Sequence, residues 1–479
     1  MKTFVAAGAI FSTALLSPAL AADLPVKAKP APVASNWTGF YLFGGGGYGL
    51  SSADVQTMAP FPLVSNRTGG HGYFGTVGGG YDWQFAPSWV AGIFADAQFG
   101  DIKTVLQPYD GIGGFATGTA KNNTSYAVGA RLGYLIAPNA LTYVNGGYSH
   151  ADFTGADLYD QGMIGNPAFL FATTGRQHRD GWFVGGGVEH SLDLFGLAAP
   201  GWFMKTEYRL AEYGKTTIDI PAYGNIYPTT FKPYVQTAST SLVYRFNSGV
   251  TPSSAPLYAK APAASPVGWS GFYLSGGGGY GLWDADVGKV APGGTYPNQH
   301  HTGGRGWFGT VGGGYDWQFA PRWVAGVLAD AQFGDIKGSI IDPFQNYPGS
   351  TKNNLNYAVG ARLGYLVAPN VLSYINGGYS HADFTQASLN SSDGTPLAFP
   401  YTIVKQHHDG WFVGGGVENS LNPFGIAAPG WFMKTEYRLA SYGRQNITLI
   451  PPSGQPDGNF ITFKPTVQTI STSLVYRFN

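Results

Sequence analysis

Residues 204–210 read Met-Lys-Thr-Glu-Tyr-Arg-Leu, and charged and uncharged side chains alternate strictly along this stretch. Because successive side chains of a strand point to opposite faces, Lys205, Glu207 and Arg209 share one face and the uncharged residues share the other. A strand of a membrane barrel needs this division, with apolar residues toward lipid and small or polar residues inward. The stretch therefore predicts a membrane-spanning β-strand.

The same alternation recurs in other segments that are rich in aromatic residues and glycine. Residues 126–134 alternate larger apolar residues with Ala, Gly and Arg131, and residues 241–246 place Leu, Tyr and Phe on the face opposite Arg245. These segments keep a period of two and not the helical period. Aromatic residues also stand near the segment ends, where a membrane barrel has its two interfacial girdles. We expect one girdle from Trp83, Phe85, Trp89, Tyr134, Tyr244 and Phe246, and the other from Tyr73, Phe99, Tyr126, Tyr148 and Trp182.

The chain carries this pattern twice. Ser-Leu-Val-Tyr-Arg-Phe-Asn at 241–247 returns at 473–479, and Trp37 opens the first copy as Trp269 opens the second. An internal repeat of this kind defines the architectural unit. A Pro/Ala-rich segment, which predicts an extended spacer, precedes each copy. The predicted organisation is a signal peptide at 1–21, a Pro/Ala-rich linker at 22–35, a first outer-membrane β-barrel at 36–247, a second linker at 248–267 and a second β-barrel at 268–479.

Within the first copy, strand-like segments are joined alternately by short turns and long polar loops. An up-and-down meander produces this alternation, and outer-membrane barrels have short periplasmic turns and longer extracellular loops. The segments are 37–50, 71–85, 88–101, 122–136, 140–153, 178–192, 200–213 and 235–246, and the long loops are 51–70, 102–121, 154–177 and 214–234. The predicted fold is therefore all-β, with two tandem eight-stranded antiparallel up-and-down transmembrane β-barrels. The alternative is one fused sixteen-stranded barrel.

Composition and the N-terminus indicate an exported envelope protein. Only 11% of the residues are charged, against about 25% in an average soluble domain. Lys2, an apolar run at 4–16 and Ala19-Leu20-Ala21 are typical of a secretory signal peptide that is cleaved after Ala21. The net charge is zero, so the chain has no electrostatic footprint for nucleic acid.

Four motifs carry a resemblance to a known family. They are Trp-Thr-Gly-Phe-Tyr at 37–41, Arg-Leu-Gly-Tyr at 131–134, Met-Lys-Thr-Glu-Tyr-Arg at 204–209 and Val-Tyr-Arg-Phe at 243–246, together with Gly-Gly-Gly-Tyr hairpins. In these features the chain resembles the small outer-membrane β-barrel proteins of alphaproteobacteria, often called outer-membrane immunogenic or porin-family proteins. The resemblance covers almost all of both units.

The resemblance implies an eight-stranded barrel at the cell surface whose terminal aromatic residue serves as a signal for the barrel-assembly machinery. In this chain Phe246 and Phe478 hold that position. Two features depart from the family. Members usually carry one barrel, whereas this chain is predicted to carry two, and the signal at Phe246 is therefore internal. In addition, Asn247 and Asn479 follow the aromatic residues.

Charged residues recur at matching inward positions of both copies, with four acids and four bases in each. Charges at membrane depth are costly unless they face the protein interior and find partners. We therefore expect a barrel-interior charge network that fills and rigidifies each barrel, and a selective solute path is the alternative. The network residues are Asp82, Asp96, Arg131, Glu189, Lys205, Glu207, Arg209 and Arg245 in the first copy, and Asp316, Asp330, Arg362, Glu418, Lys434, Glu436, Arg438 and Arg477 in the second.

Other motifs favour no cofactor, metal or catalytic site. Gly44–Gly49 matches G-x-G-x-x-G, but similar glycine runs recur along the chain and a dinucleotide site needs a helix after the motif. Ser149 and His150 could suggest a lipid hydrolase, but neighbouring strand residues point to opposite faces. The pairs His300-His301 and His407-His408 have no metal-ligand spacing, and we expect them to be solvated loop residues.

The sequence thus predicts a non-enzymatic outer-membrane protein of a Gram-negative bacterium with a structural and surface-exposed role. A porin for passive diffusion of small hydrophilic solutes is the first alternative, because sixteen strands would leave an aqueous channel. An envelope lipid hydrolase is the second. The expected partners are outer-membrane lipid and lipopolysaccharide, the barrel-assembly machinery with periplasmic chaperones, and a surface ligand bound through the loops. The loops would be extracellular and the linkers periplasmic.

Overall fold

The structure is a computed structural model, and it describes most of the two repeats. The described residues are 36–58, 64–109, 115–160, 169–192, 199–222, 224–246, 268–291, 294–342, 347–391, 395–421, 426 and 428–478. The predicted signal peptide and the two predicted linkers lie outside these residues. In the described part of the chain, no helix has the length and apolar character needed to cross a membrane.

Within the described residues, the two repeats contain twenty-two β-strands. They are β1 Gly39–Thr57, β2 Val64–Ala86, β3 Trp89–Leu106, β4 Ala116–Ala137, β5 Ala140–Phe153, β6 Asp157–Asp160, β7 Phe169–Thr173, β8 Gln177–Ser191, β9 Trp202–Tyr213, β10 Thr216–Ala222, β11 Asn225–Arg245, β12 Gly271–Ala291, β13 Gly294–Ala320, β14 Trp323–Asp342, β15 Tyr347–Ala368, β16 Val371–Phe384, β17 Ala387–Ser388, β18 Thr402–Ile403, β19 Gln406–Ser420, β20 Trp431–Tyr442, β21 Gln445–Ile450 and β22 Phe460–Arg477.

Each repeat forms its own closed antiparallel ring of eight long strands. The first ring runs β1-β2-β3-β4-β5-β8-β9-β11, and β11 pairs back with β1 from Tyr41–Arg245 to Thr57–Thr229. The second runs β12-β13-β14-β15-β16-β19-β20-β22, and β22 pairs back with β12. The prediction of two tandem eight-stranded barrels is confirmed. One fused sixteen-stranded ring is excluded, because each repeat is complete by itself.

The strands extend further on the long-loop side than the sequence predicted. β1 continues to Thr57 and β2 begins at Val64, so most of the predicted loop 51–70 is strand. Ala53 and Val55 are buried along this extension. Their burial explains the difference, because alternating apolar residues inside a polar segment continue the inward face of the strand. The short strands β6, β7 and β10 also lie in segments that were predicted as loops.

The outward face of each barrel carries an apolar band between two rows of aromatic residues. Val77 and Ile93 are more than half exposed in the band, and Tyr73 at the loop-side row is 76% exposed. The other aromatic residues predicted for the two girdles are exposed as well, apart from the half-buried Tyr134. We take the membrane-spanning part of each strand as the part between these two rows.

Beyond the loop-side row, each barrel interior is filled by apolar side chains. In the first barrel this apolar cap includes Val55, Ile102, Phe153 and Phe231. In the second barrel the corresponding cap includes Trp283, Ile336, Phe384 and Phe463. Burial of these side chains stabilises the strand extensions by the hydrophobic effect and closes the barrel at this end.

The two barrels lie side by side and contact each other through equivalent elements. Thr68 of β2 pairs with Thr302 of β13, and both residues begin a Thr-Gly-Gly sequence. The rings of Tyr208 and Tyr437, which occupy the same position in the two repeats, lie 6.3 Å apart. At the turn side, residues of the β4–β5 turn pack against their counterparts in the β15–β16 turn. The contact therefore has approximate twofold symmetry, as an isologous interface has.

Candidate functional site

The barrel interior nearest the short turns holds a turn-side charge cluster of Asp82, Arg131, Glu189 and Arg245. Arg131 donates from Nε to Asp82 (2.9 Å) and from Nη1 to Glu189 (3.1 Å). Arg245 donates from Nη2 to Asp82 and from Nε to Glu189, both at 2.7 Å. Two acids and two bases thus form a closed, neutral cycle. Such full pairing offsets the cost of removing the charges from water.

A loop-side charge cluster of Asp96, Lys205, Glu207 and Arg209 lies next to the turn-side charge cluster, nearer the long loops. Arg209 binds both oxygens of Asp96 (3.0 and 2.7 Å) and donates to Glu207 at 2.8 Å. Lys205 Nζ lies 3.7 Å from Glu207. The hydroxyl of Tyr143 donates a further hydrogen bond to Glu207 at 2.8 Å. This cluster is also neutral, and Glu207 connects its two bases.

The second barrel repeats both clusters contact for contact. Arg362 and Arg477 each bind Asp316 and Glu418, and Arg438 binds Asp330 and Glu436. Lys434 Nζ lies 3.9 Å from Glu436. The structure therefore brings the sixteen charged residues singled out in the sequence into four clusters. All of them are buried except Asp330 and Lys434, which are partly exposed.

Aromatic rings enclose the charge clusters. The Arg245 guanidinium lies 4.3 Å from the centre of the Trp37 ring, and Lys205 Nζ lies 3.3 Å from that of Phe43. These distances are typical of cation–π interactions, which stabilise a cation away from water. Trp37 also closes the turn-side end, where its indole nitrogen donates to the carbonyl of Pro138 at 3.1 Å. Trp269 has the same contact with the carbonyl of Pro369 at 2.9 Å.

Little free space is left among these side chains. A cavity of about 10 Å³ lies beside Asp96, Ser125, Arg209 and Tyr213 in the first barrel. This is about the room that one water molecule needs. A comparable cavity in the second barrel lies beside Asp330 and Glu436. Paired charges, aromatic rings and the apolar caps therefore occupy the described interiors from rim to rim.

The residues of the hypothetical hydrolase motif lie on opposite faces of β5. Ser149 is buried inside the barrel, where its hydroxyl lies 3.2 Å from that of Tyr213. His150 points outward toward Asp180. A serine nucleophile and a histidine base must be in contact to act together. The glycine run 44–49 lies wholly within β1, without the helix that a dinucleotide site needs.

The expectation of solvated loop histidines at 300–301 and 407–408 is wrong. All four are strand residues of β13 and β19, and the side chains of His300 and His408 are fully buried. Alternation explains the difference, since one residue of each pair must face inward. Burial, with repulsion from His301, lowers the pKa of His300 to about 4.

Sequence reasoning missed an arrangement of histidine and aspartate on the outer surface, at the loop-side edge of the aromatic row. His150 and Asp152 of β5 pair across the sheet with Asp180 and His178 of β8. Hydrogen bonds from Tyr148 and then from His150 lower the pKa of the Asp180 carboxyl. The signal was present as two His-x-Asp sequences, which place both side chains of each on one face. Their meeting depends on the register of β5 against β8.

Phe246 and Phe478 both lie at the turn-side end of the last strand of a ring. Their side chains are 56% and 58% exposed and point outward. Each packs edge to face on the tyrosine two residues earlier, with ring centres 5.2 and 5.1 Å apart. Both are therefore accessible from the lipid side.

Several solved outer-membrane proteins resemble the structure at low identity. A Pseudomonas aeruginosa FadL homologue is 11% identical, with 91% of this chain and 90% of that chain covered and a TM-score of 0.26. Outer membrane protein OprG from Pseudomonas aeruginosa is 12% identical over 45% of this chain and 100% of its own, with a TM-score of 0.31. Ail, the attachment invasion locus protein of Yersinia pestis, is 13% identical over 42% and 99%, with a TM-score of 0.19. These scores are too low to indicate function.

Comparison with protein families gives a clear assignment. The family described as outer membrane protein beta-barrel domain matches residues 9–246 and again 254–478. No curated protein sequence matches the chain. The two matched segments correspond to the two closed rings, and their apolar outer bands fit the outer membrane. The chain therefore belongs to the outer membrane protein beta-barrel domain family, which it carries in two consecutive copies.

Proposed function

We propose that the protein is a non-enzymatic outer-membrane scaffold that holds two different sets of loops at the cell surface. The observation that carries the proposal is the filled interior of each barrel. Neutral charge clusters occupy the membrane-spanning part, Trp37 and Trp269 close the turn side, and apolar caps close the loop side. An eight-stranded barrel has an interior just wide enough for side chains, so the packing leaves no room for a solute path.

Differences between the two loop rims support a surface role. In the first barrel the segment after β5 forms a hairpin of β6 and β7, and β6 also pairs with β4. In the second barrel the corresponding strands β17 and β18 are only two residues long, and β18 pairs with β21. The turn-side sequences are by contrast nearly the same, and residues 81–87 and 315–321 are identical. The two barrels therefore share the same turn side but present loop rims of different shape.

Several finer assignments belong to the same proposal. Membership of the alphaproteobacterial group of outer-membrane immunogenic proteins rests on the shared motifs. Outward-facing Phe246 and Phe478 would be read by the barrel-assembly machinery. The long-loop rim would face the exterior and the linkers the periplasm, where chaperones would bind the unfolded chain. Outer-membrane lipid and lipopolysaccharide would surround the apolar band.

Conductance in a planar lipid bilayer tests the proposal. The purified full chain should give no large, stable conductance steps, while a sixteen-stranded porin in the same lipid gives them. Swelling of proteoliposomes in small sugars should likewise be absent. Large and reproducible steps would instead establish the porin alternative and would show that the interior rearranges.

Surface labelling tests the orientation. An epitope inserted after the exposed Gly454, in the loop between β21 and β22, should bind antibody on intact cells. The same epitope within 248–267 should bind antibody only after the outer membrane is permeabilised. The reverse pattern would contradict the proposed orientation. The hydrolase alternative is tested by an assay of lipid deacylation, with Ser149→Ala combined with Ser380→Ala, the same substitution at the matching position of the second barrel. We expect no activity in the parent protein or in the variant.

A further inference from the structure

Two His-x-Asp sequences meet on the outer surface of each barrel. In the first barrel His150 lies opposite Asp180 and Asp152 lies opposite His178 in the β5–β8 register. Residues two apart on a strand share a face, so all four side chains lie on the same patch. The patch lies beyond Tyr148 and Trp182 of the aromatic row and level with Tyr126, which pairs with His150. His178 and Asp180 have 67% and 73% exposed side chains.

Three potential ligand atoms converge in this patch. Asp152 Oδ1 lies 3.3 Å from His150 Nε2 and within hydrogen-bonding distance of His178 Nδ1. One ligand atom from each of the three residues lies within 4.8 Å of the other two. Tetrahedral Zn²⁺ with bonds of about 2.0–2.1 Å separates its ligand atoms by about 3.3 Å. Small rotations of the exposed His178 side chain would bring the three atoms to that geometry.

The remaining nitrogen of His150 has the partner that a metal-binding imidazole usually has. His150 Nδ1 lies 2.7 Å from Asp180 Oδ1. Tyr148 donates to the same carboxylate at 2.5 Å and so fixes its orientation. A carboxylate on the far nitrogen sets the tautomer and makes the ligating nitrogen more basic. The ring of His150 also stacks on Tyr126, with centres 4.6 Å apart, which holds its plane.

The second barrel contains the same arrangement. His381 Nε2 lies 3.2 Å from Asp383 Oδ1, and His407 Nδ1 lies 2.6 Å from that oxygen. His381 Nδ1 lies 2.7 Å from Asp409, which also accepts from Tyr379 at 2.5 Å. One difference is that Lys405 Nζ lies 3.0 Å from the other oxygen of Asp383. An ammonium at this distance opposes a second cation, so the second site should be weaker.

We propose that each barrel binds one Zn²⁺ ion at its loop-side rim, through His150, Asp152 and His178 in the first barrel and through His381, Asp383 and His407 in the second. Two imidazole nitrogens and one carboxylate oxygen are a common protein ligand set for this ion, and a water molecule completes the tetrahedron. Asp180 and Asp409 are positioning residues that orient one histidine of each site.

Zinc titration of the full chain tests the proposal. The folded protein, freed of metal with a chelator and kept in detergent, is titrated with zinc chloride by calorimetry. We expect two sites per chain of unequal affinity, both micromolar or tighter. Asp152→Asn should remove the tighter site, and Asp152→Asn with Asp383→Asn should remove both. Asp180→Asn should weaken the first site by about 10- to 100-fold without abolishing it.

A matched variant and a cobalt spectrum distinguish coordination at these residues from nonspecific zinc binding. Asp101→Asn removes a rim carboxylate that pairs with Lys121 at 3.1 Å, and it should leave both sites unchanged. Bound Co²⁺ should show the visible absorption of tetrahedral coordination in the parent protein and lose half of it in Asp152→Asn. Heat-modifiable migration in gels checks that each variant is folded. Absence of zinc binding, or equal binding by the parent and the double variant, would overturn the proposal and leave only histidine–aspartate ion pairs.

Discussion

Arg305 of the second barrel donates two hydrogen bonds to Asp54 of the first, from Nη1 to Oδ1 at 3.2 Å and from Nη2 to Oδ2 at 2.6 Å. Its guanidinium also lies 3.5 Å from the centre of the Tyr234 ring of the first barrel. Across the approximate twofold axis, His71 stands where Arg305 does in the other repeat, and it contacts Asp284 at 2.7 Å. Beyond the membrane, a basic residue of each barrel thus contacts an acidic residue of the other.

We expect Arg305→Ala to loosen this contact. A bidentate pair of this kind contributes about 1–2 kcal/mol, so amide exchange should become about 5- to 30-fold faster. The change should appear in both partner strands, at 64–70 of β2 and at 300–305 of β13, when hydrogen exchange is followed by mass spectrometry. Arg322→Ala is the control, because Arg322 is exposed and contacts Tyr365 of its own barrel. Unchanged exchange in β2 would show that the contact does not hold the barrels together.

Removal of one base from the turn-side charge cluster should destabilise the first barrel strongly. Arg245→Met leaves Asp82 and Glu189 with only Arg131, and an unpaired buried charge costs about 3–5 kcal/mol. Urea unfolding in detergent, read by heat-modifiable migration, should show the loss. Adding Glu189→Gln restores neutrality and should recover part of the stability. The second barrel supplies an internal control, because its ring and its clusters are separate and its transition should not move.

Gly92→Ala should disturb the same cluster by a different route. A Cβ at Gly92 would lie 2.1 Å from Asp82 Oδ1, the carboxylate directly across the strand pair. Since Asp82 is fixed by two arginines, we expect a loss of about 1–3 kcal/mol, as in other overpacked interiors. Gly75→Ala is the matched control in the neighbouring strand, where the nearest atom to the added Cβ is 3.8 Å away. Equal stabilities of the two variants in urea would contradict this packing.

The buried His300 should make the loop-side rim of β13 sensitive to acid. Its pKa is lowered from 6.5 to about 4, first by burial and then by His301. The folded state therefore keeps His300 neutral. The contribution of neutral His300 to the free energy of unfolding is complete above pH 6.5 and is lost as the pH falls toward 4. Between these values the unfolded state binds more protons, and the loss amounts to about 3 kcal/mol. The protection of amides 294–305, taken relative to the intrinsic exchange rate at each pH, should therefore decrease between pH 6.5 and 4.5.

The pH effect of His300 can be separated from those of its neighbours. His71 and His301 have raised pKa values, since Asp284 contacts His71 and Asp286 contacts His301 against the effect of burial. In their protonated form these two histidines stabilise the folded state. Their contribution to stability is therefore present at low pH and is lost as the pH rises above 6.5. His300→Asn removes only the destabilisation at low pH that comes from His300. The difference between parent and variant should therefore grow as the pH falls, and a constant difference would exclude the assignment.

The ring of eight strands could be predicted from the sequence because lipid imposes a simple pattern on it. Alternation along 204–210 and the closing Val-Tyr-Arg-Phe depend only on which face meets lipid. The strand ends could not be predicted equally well. Val55 and Leu106 stand in segments of polar composition, and their burial in the cap depends on which other loop residues meet them.

The rim patch and the contact between barrels required the pairing register. His150 and His178 are distant in sequence, and only the β5–β8 alignment places them together. The approach of Arg305 to Asp54 depends further on how two complete rings pack against each other. The interior charges were easier to find, because any charged residue on a membrane strand must turn inward.

Closure of each ring also changes the thermodynamics of the pair. Two separate barrels in a membrane must find each other by lateral diffusion, but these two are tethered by the Pro/Ala-rich residues 248–267, whose extended reach is about 60 Å at most. Such a tether gives an effective concentration in the millimolar range. A barrel-to-barrel affinity far too weak for free partners is then sufficient to keep these partners together. Even a weak contact between the two barrels is therefore enough to hold both sets of loops next to each other.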